Sequence, residues 1–457
     1  MASYGIGELT APGFRQHWVL GNLLREKYSS VFDHRFKLAE ISSRSTGFDR
    51  TIQSANAHLE GIFSLFPTDS LLRHGPDAEG NLPVWRDPGF NFYKLLDFET
   101  PLPHRYEPYP VYSPNDGHFD RFLKADDEGG LVCNATFPLR AAASEKFEKY
   151  INGSQLLQDT CKEAYERYDM YDAEIEKYGF NFTNSFFIAD AVLCLHENDP
   201  QDGLNMEDPA DALFYLNIRK VYSQYIFQFY NNTEYLKTVQ TPILNDLRLN
   251  LNQKVDIALG TAEPSTNELK YRFLSSHDST IAQIFLNNGF FDGHCLVDEM
   301  MDGVDRHCHM SPGPSASLIF ELVQQNTKNP TPTRDDFVIR SNYDGVYVDF
   351  CKTGKPGPHN KFDCKIEKFN EILDLMAVPD FDKACFGPVV PGQGQQIAAA
   401  SAGVNGWAFL LKFVGAGLVI GVLCWLVVKR WGKGRAIEKK RSLIQIREDD
   451  NVYSVLG

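Results

Sequence analysis

Residues 407–428 read WAFLLKFVGAGLVIGVLCWLVV, 22 positions with a single charge, Lys412, near one end. A helix of about 20 apolar residues spans the hydrocarbon core of a bilayer, and a lysine near its end can snorkel to the interface. Trp407 and Trp425 sit near the two boundaries, where indole rings prefer to lie. The same run also reads as a buried core helix. The basic KRWGKGR that follows, and the chain's end soon after, favour one C-terminal transmembrane helix. Basic residues stay cytoplasmic, so residues 429–457 are expected inside and residues 1–406 in a lumen or outside the cell.

The charge follows that division. From Lys429 onward eight basic residues face four acidic ones, a net +4, which with Lys412 set aside leaves −20 on residues 1–406 of a chain whose total is −15. An acidic ectodomain argues against a nucleic-acid partner, because a phosphate backbone demands a basic face. Eight cysteines precede the span (Cys133, Cys161, Cys194, Cys295, Cys308, Cys351, Cys364, Cys385) and Cys424 lies within it. An even number in an oxidising compartment implies up to four disulfides, with pairing not deducible from sequence. No CxxC or CxxH spacing suggests zinc. Glycosylation sequons stand at Asn134, Asn152, Asn181 and Asn231. An exported domain needs a signal peptide, yet MASYGIGELTAPGFRQ has neither an apolar nor a basic leader region.

Periodicity organises the ectodomain, residues 1–385. Phe14, Leu20, Leu24 and Tyr28 recur at helical spacing from Pro12 onward. FKLAEISSRST reads as a short strand ending in a Ser/Thr cluster, and DRTIQSANAHLEGIF as a helix with Ile52, Ala55, Leu59 and Phe63 on one face. Residues 96–240 change character: a Pro/Tyr-rich stretch leads into helical segments around 141–178 and 209–230, which suggests a cap on a core of residues 1–95 and 241–385. A helix is expected at about 241–259, then a strand in KYRFLSS, a helix in STIAQIFLNNGF, and a hairpin from 317–324 and 337–350. Residues 386–406 are a small-residue stalk. The alternation implies an α/β fold, a sheet with helices on both faces, whose active site gathers at the carboxyl ends of the strands.

Two junctions carry polar residues suited to that role. In FLSSHDSTIAQIF, His277 and Asp278 stand between a strand and a helix N-terminus, where free amides and the helix dipole favour an anion such as phosphate. His277 can hydrogen-bond a phosphoryl oxygen; Asp278 can cap the helix or give a proton to a leaving oxygen. Arg44 in SSRST suits bidentate phosphate binding. Each also has a plainer reading: an N-cap, a loop residue, a solvated arginine.

Together, GELTAPGFRQHWVLGNLLREKY, SSRSTGFDRTIQSANAHLEGIF and LSSHDSTIAQIF resemble the histidine acid phosphatases, a branch of the histidine phosphatase superfamily. The resemblance runs over about residues 5–385, more weakly through 96–240. It implies a phosphoglycerate mutase-like sheet with a mostly helical cap. It implies hydrolysis of phosphomonoesters through a phosphohistidine, without metal or other cofactor, with Arg44 and His277 binding phosphate and Asp278 as proton donor. The attacking histidine belongs to an RHGxRxP motif that precedes GELT in the family. The triplet Arg73-His74-Gly75 comes too late, follows no strand, and has Asp77 where the motif has arginine, so it reads as a loop. No nucleophile is therefore identified in the chain. The nucleophile strand, two further arginines and the signal peptide are together expected upstream of Met1. The alternative is a catalytically inactive relative, a membrane-anchored binding protein with a relic pocket. A span with a short tail is similar to the lysosomal members, and Tyr453-Ser454-Val455-Leu456 looks like an endosomal sorting signal for an adaptor. The expected partners are then a small phosphomonoester, the membrane, that adaptor, and a second copy in a homodimer. The family places a long-range bridge at Cys133 and Cys385, and Cys351 with Cys364 is expected as a local one. Cys194 matches a family cysteine whose partner near Ser317 is absent, leaving Cys161, Cys295 or Cys308 as substitutes.

Overall fold

The computed structural model describes residues 7–32, 36–63, 108–114, 120–123, 133–136, 139, 154–170, 173–198, 204–354, 356–357 and 361–387. The apolar run 407–428, the stalk beyond Gly387, the tail, the triplet at 73–75 and the Asn152 sequon lie outside the described residues. Among the described residues no helix is long and apolar enough to cross a membrane.

Helix α1 (Ala11–Lys27) begins where the Thr10 hydroxyl accepts from the Gly13 amide at 3.3 Å, and Pro12 occupies a first-turn position that needs no donor. Strand β1 (Ile41–Ser45) is shorter than the sequence suggests, and α2 (Asp49–Phe63) matches its expected span. α1 and α2 cross with their backbones nearly touching: a Cβ on Gly21 would lie 2.2 Å from the His58 carbonyl oxygen, and one on Gly61 would lie 2.2 Å from that of Trp18. Only glycine permits that approach.

The cap helices are α3 (Gln155–Arg167), α4 (Ala173–Tyr178), α5 (Phe182–Asn198) and α6 (Pro209–Tyr230). α3, α5 and α6 bury their own cluster of Leu157, Ala164, Ile188, Val192, Phe214 and Ile218. Helix α7 (Thr233–Ala258) is one continuous element with Pro242 inside it. The helix expected to start near 241 thus starts at Thr233, where the Asn232 side chain accepts from the Tyr235 amide at 3.0 Å, and the 240/241 boundary falls within it.

Strand β2 (Tyr271–Ser275) runs parallel to β1, pairing Ile41 with Tyr271 through Ser45 with Ser275, and leads into α8 (Asp278–Asn288). After α9 (Cys295–Asp302), β3 (Leu318–Gln324) pairs antiparallel with β4 (Phe337–Tyr343). The segment 337–350 is not one strand: the chain turns at Asp344 and Gly345, both at positive φ, and returns as β5 (Val346–Val348) on the other edge of β4. Strand β6 (Cys364–Lys365) also pairs with β4, and α10 (Ile366–Met376) and α11 (Phe381–Phe386) follow. The largest core cluster packs α7, α8, β4 and α10 around Tyr235, Leu244, Phe285, Ile339 and Phe369.

The fold is α/β with helices on both faces, but the expected single sheet is two sheets among the described residues: β1–β2, and β3–β4 with β5 and β6. Between them opens a cavity of about 1420 Å³. Lys270–Ser276 line one side and Ser317–Val323 the other, while α1 and α2, and α7 and α8, supply the remaining walls. Among the described residues β2 is paired on one edge, by β1, and β3 on one edge, by β4. Packed interiors leave few voids larger than a water molecule, so an opening of this size is a site and not a packing defect.

Among the described residues three disulfides close the domain: Cys133–Cys385, spanning 252 residues with Cα atoms 4.6 Å apart, Cys351–Cys364 at 5.9 Å and Cys295–Cys308 at 5.7 Å. The first two agree with expectation. The third removes Cys295 and Cys308 as substitutes for the missing partner of Cys194, and Cys161 is a buried thiol.

Candidate active site

The site forms where β2 ends. His277 occupies the N-cap position of α8 in an extended conformation and offers the helix no side-chain cap. Its imidazole is held instead by the loop after β1: Nε2 lies 3.2 Å from Thr46 Oγ1, and the ring meets Phe48 edge-on at 5.0 Å. Thr46 is fixed in turn by the Thr51 hydroxyl at 2.8 Å, and its amide donates to the Ser275 carbonyl at 3.1 Å. The parallel register of β1 and β2 therefore brings the two sequence junctions together.

Asp278 is the first residue of α8, not its N-cap. Its Oδ1 accepts from the Ser279 amide at 2.7 Å, and its Oδ2 accepts from the Tyr222 hydroxyl on α6 at 2.7 Å. One oxygen faces the helix end; the other reaches the cap. Tyr222 has its phenol pKa raised by burial and then by the charges of Asp278 and Asp190, so it stays a hydrogen-bond donor.

Arg44 is not brought to this pair. Ile41, Ser43 and Ser45 are the buried face of β1, so alternation turns Arg44 to the opposite face. There its guanidinium pairs with Asp120 at 2.9 Å and lies 5.0 Å over the Phe122 ring, beside Arg272, which is paired with Asp246 at 2.9 Å. Asp120 is only 2% exposed, so Arg44 serves as counter-ion to a buried carboxylate and is absent from the cavity wall. Three arginines do line the cavity with His277 and Asp278: Arg272, paired with Asp246, Arg219, which donates to the Ser311 carbonyl, and Arg50, in the first turn of α2 with its guanidinium 4.9 Å over the Phe48 ring that His277 also meets. Arg50 stands in the same SRST-x3-RT stretch that drew attention to Arg44, and the signal that separates them is the strand's period of two.

Asp190 on α5 completes the polar end of the cavity. Burial, then the like charge of Asp278, pushes its carboxyl up to about 6, against the opposing pull of Arg50. Further along the cavity lie two imidazoles. His58 stacks on Phe273 at 4.3 Å, and its Nε2 lies 2.8 Å from the Tyr271 hydroxyl. Burial lowers His17 to about 4; burial and then His17 lower His58 to about 3, so both are neutral above that range. Among the described residues no group of three His, Cys, Asp or Glu side chains could hold a metal ion.

A cationic arginine, a histidine and a carboxyl thus converge on a helix N-terminus, an arrangement able to bind an oxyanion and move a proton to or from it. The model of the histidine phosphatase superfamily (branch 2) matches residues 1–343 of the chain. The chain belongs to this superfamily. It is similar to lysosomal acid phosphatase of Bos taurus, 24% identical over 332 residues that cover 71% of this chain and 61% of the relative. To lysosomal acid phosphatase of Homo sapiens it is 38% identical over 104 residues, covering 22% of this chain and 24% of the relative. The matched stretch therefore spans less than two thirds of either relative's length. In fold it is similar to a Klebsiella phytase, with a TM-score of 0.51 at 14% identity over 83% of this chain and 90% of the phytase. The Hafnia alvei phytase in its apo form gives 0.51 at 11% identity over 84% and 90%. Membership bears out the resemblance read from the three motif stretches.

Proposed function

We propose that the protein is a phosphomonoesterase of the acid phosphatase kind. The phosphoryl group docks at the N-terminus of α8 between His277 and Arg50. A histidine on a strand seated between β2 and β3 attacks phosphorus as the P–O bond to the alcohol breaks, and Asp278 passes its proton to the leaving oxygen. Water then adds to phosphorus as the P–N bond breaks, and the Asp278 carboxylate takes up the proton that water releases. The observation that carries this reading is the convergence of His277, Asp278 and Arg50 at one helix N-terminus. The edges of β2 and β3 that are unpaired among the described residues offer a seat for such a strand, and Gly7–Thr10 line the same cavity, which supports this placement. The sequence and the names of the relatives support the setting: a lumenal, glycosylated domain held by the 407–428 span, in the endolysosomal system or at the cell surface.

The alternative is a catalytically inactive phosphate-binding protein. It is favoured by the placement of the cavity's other histidines: His58 bonds Tyr271, at the end of β2 remote from His277. Calorimetric titration of the chain with inorganic phosphate at pH 5, beside turnover of a simple aryl phosphate by a chain that carries the nucleophile strand, tests both readings. Binding is expected in either case, and turnover only for the enzyme. Arg50→Ala should weaken phosphate binding by about 1.5–3 kcal/mol, roughly 10- to 100-fold, as for hydrogen bonds to charged groups. Arg44→Ala should leave affinity within a few-fold while lowering thermal stability, because it strands the buried Asp120. Equal affinity in the wild type and Arg50→Ala would refute the assignment.

A further inference from the structure

The reading above leaves one charged cap residue at the phosphate end without a role. Asp190 projects from α5 into the wall that holds Arg50, Asp278, His277 and Tyr222. It belongs to the cap, whereas Arg50 and the His277–Asp278 pair belong to the two junctions beneath. The titratable and charged groups around the cavity's polar end are Arg50 on α2, His277 and Asp278 at the start of α8, Tyr222 and Arg219 on α6, Glu8 before α1, and Cys194 one turn along α5. Arg219 is engaged with the Ser311 carbonyl at 2.7 Å. Of these groups, Asp278 and Arg50 are the two whose charges act on the Asp190 carboxyl. Arg50 therefore has two anionic claimants, an ionised Asp190 fixed by the fold and a phosphoryl group arriving from solvent.

We propose that Asp190 is a further binding-determining residue of this site: ionised, it occupies Arg50 and repels the incoming phosphoryl anion; protonated, it releases Arg50 and can donate a hydrogen bond to a phosphoryl oxygen. The inference rests on the reading of the His277–Arg50 end as the phosphate site. A carboxylate beside a bound anion costs repulsion in a partly enclosed site, and neutralising it turns an opponent into a donor. Asp278 is less suited to that part, because both of its oxygens already accept, from Ser279 and from Tyr222. The direction agrees with the environment of Asp190: its carboxyl sits at about 6, within reach of mildly acid solution, and it ionises above that. The site would thus take phosphate in an acid compartment and release it towards neutrality.

The test is anion binding by the full chain, measured calorimetrically at pH 5.0 and 7.5 with inorganic sulfate and, separately, phosphate. Sulfate keeps its charge across that range, so its pH dependence belongs to the protein. The comparison with Asp190→Asn isolates the part of that dependence that belongs to this carboxyl. The variant and the wild type should bind sulfate within a few-fold of each other at pH 5.0. At pH 7.5 the variant should bind on the order of 10- to 30-fold more tightly, the factor set by competition from a group ionising near pH 6. Asp190→Glu, which keeps the carboxylate, should retain the wild-type fall with pH, whereas a purely structural role would not separate Glu from Asn. Asp190→Ser serves if the Asn variant melts below the assay temperature. Parallel pH profiles in the wild type and a neutral variant would overturn the inference and leave the phosphate site standing. Absence of anion binding by the wild type at pH 5.0 would overturn both.

Discussion

At the scale of the residue, two arginines six positions apart differ in role because one lies on a strand and the other on a helix. Arg44 follows the alternation of β1 onto the face of Asp120 and Phe122, while Arg50 turns into the cavity from the first turn of α2. His277 and Asp278 were legible in the sequence because a strand, two polar residues and a helix follow one another within a dozen positions. Tyr222 and Asp190 were not, because their contacts join the cap to the core across 56 and 88 positions and leave no local pattern. Asp190 also carries a stability consequence. Its folded carboxyl, at about 6, lies above the ordinary value of 3.8, so the native state binds that proton more tightly than the unfolded chain does. The stability this contributes is present in full below about pH 4 and is lost as pH rises through 6. Asp190→Asn cannot ionise and keeps its stability. Urea midpoints of the variant and wild type should therefore agree near pH 4 to within the cost of the exchange itself. They should separate in the variant's favour by roughly 1–3 kcal/mol at pH 7.5. The lower end is the more apt, since the side chain faces an open cavity. A gap that does not grow with pH would contradict the assigned ionisation.

At the scale of the element, α1, α2, β2 and α8 follow their sequence periodicity closely, whereas β1 keeps only the second half of its expected run and α7 begins eight residues early. The signal that extends α7 is local: Asn232 is a good N-cap, and the helix runs through Pro242 because the surrounding core holds it. The α1–α2 pair sets the site's floor, because the crossing of Gly21 on Gly61 fixes where α2 starts and so where Arg50 stands. A methyl group at either position meets a backbone carbonyl at 2.2 Å, which no rotamer change relieves. Gly21→Ala and Gly61→Ala should each destabilise by about 3 kcal/mol or more, an overpacking cost at the upper end of the usual range. The double variant should cost less than the sum, since one separation of the helices relieves both clashes. Thermal melts of the three variants give the comparison, and an unchanged midpoint in either single variant would mean that the helices do not cross this closely.

At the scale of the whole molecule, the cavity between β2 and β3 joins the fold to the function. Its walls are those of a sheet interior: edges of two strands, one parallel to β1 and one antiparallel to β4, with α1 and α2 on one face and α7 and α8 on the other. Unpaired strand edges carry rows of donors and acceptors that a further strand can satisfy. The same slot ends at His277 and Asp278, so whatever strand fills it delivers its last residues to the proposed phosphate site. Hydrogen exchange reads this directly. Amides of β2 and β3 that point into the slot should exchange orders of magnitude faster than those of the same strands that are bonded to β1 and β4. In a chain extended at its N-terminus by an extended apolar segment ending in RHGxRxP, those fast amides should become protected while the others change little. Phosphatase turnover should appear in that same extended chain and vanish again when the segment's histidine is changed to alanine. Protection without turnover would keep the slot as a strand site and count against Asp278 and Arg50 as catalytic machinery. Slow exchange on both edges of β2 and β3 in the unextended chain would mean that another part of the molecule already fills the slot.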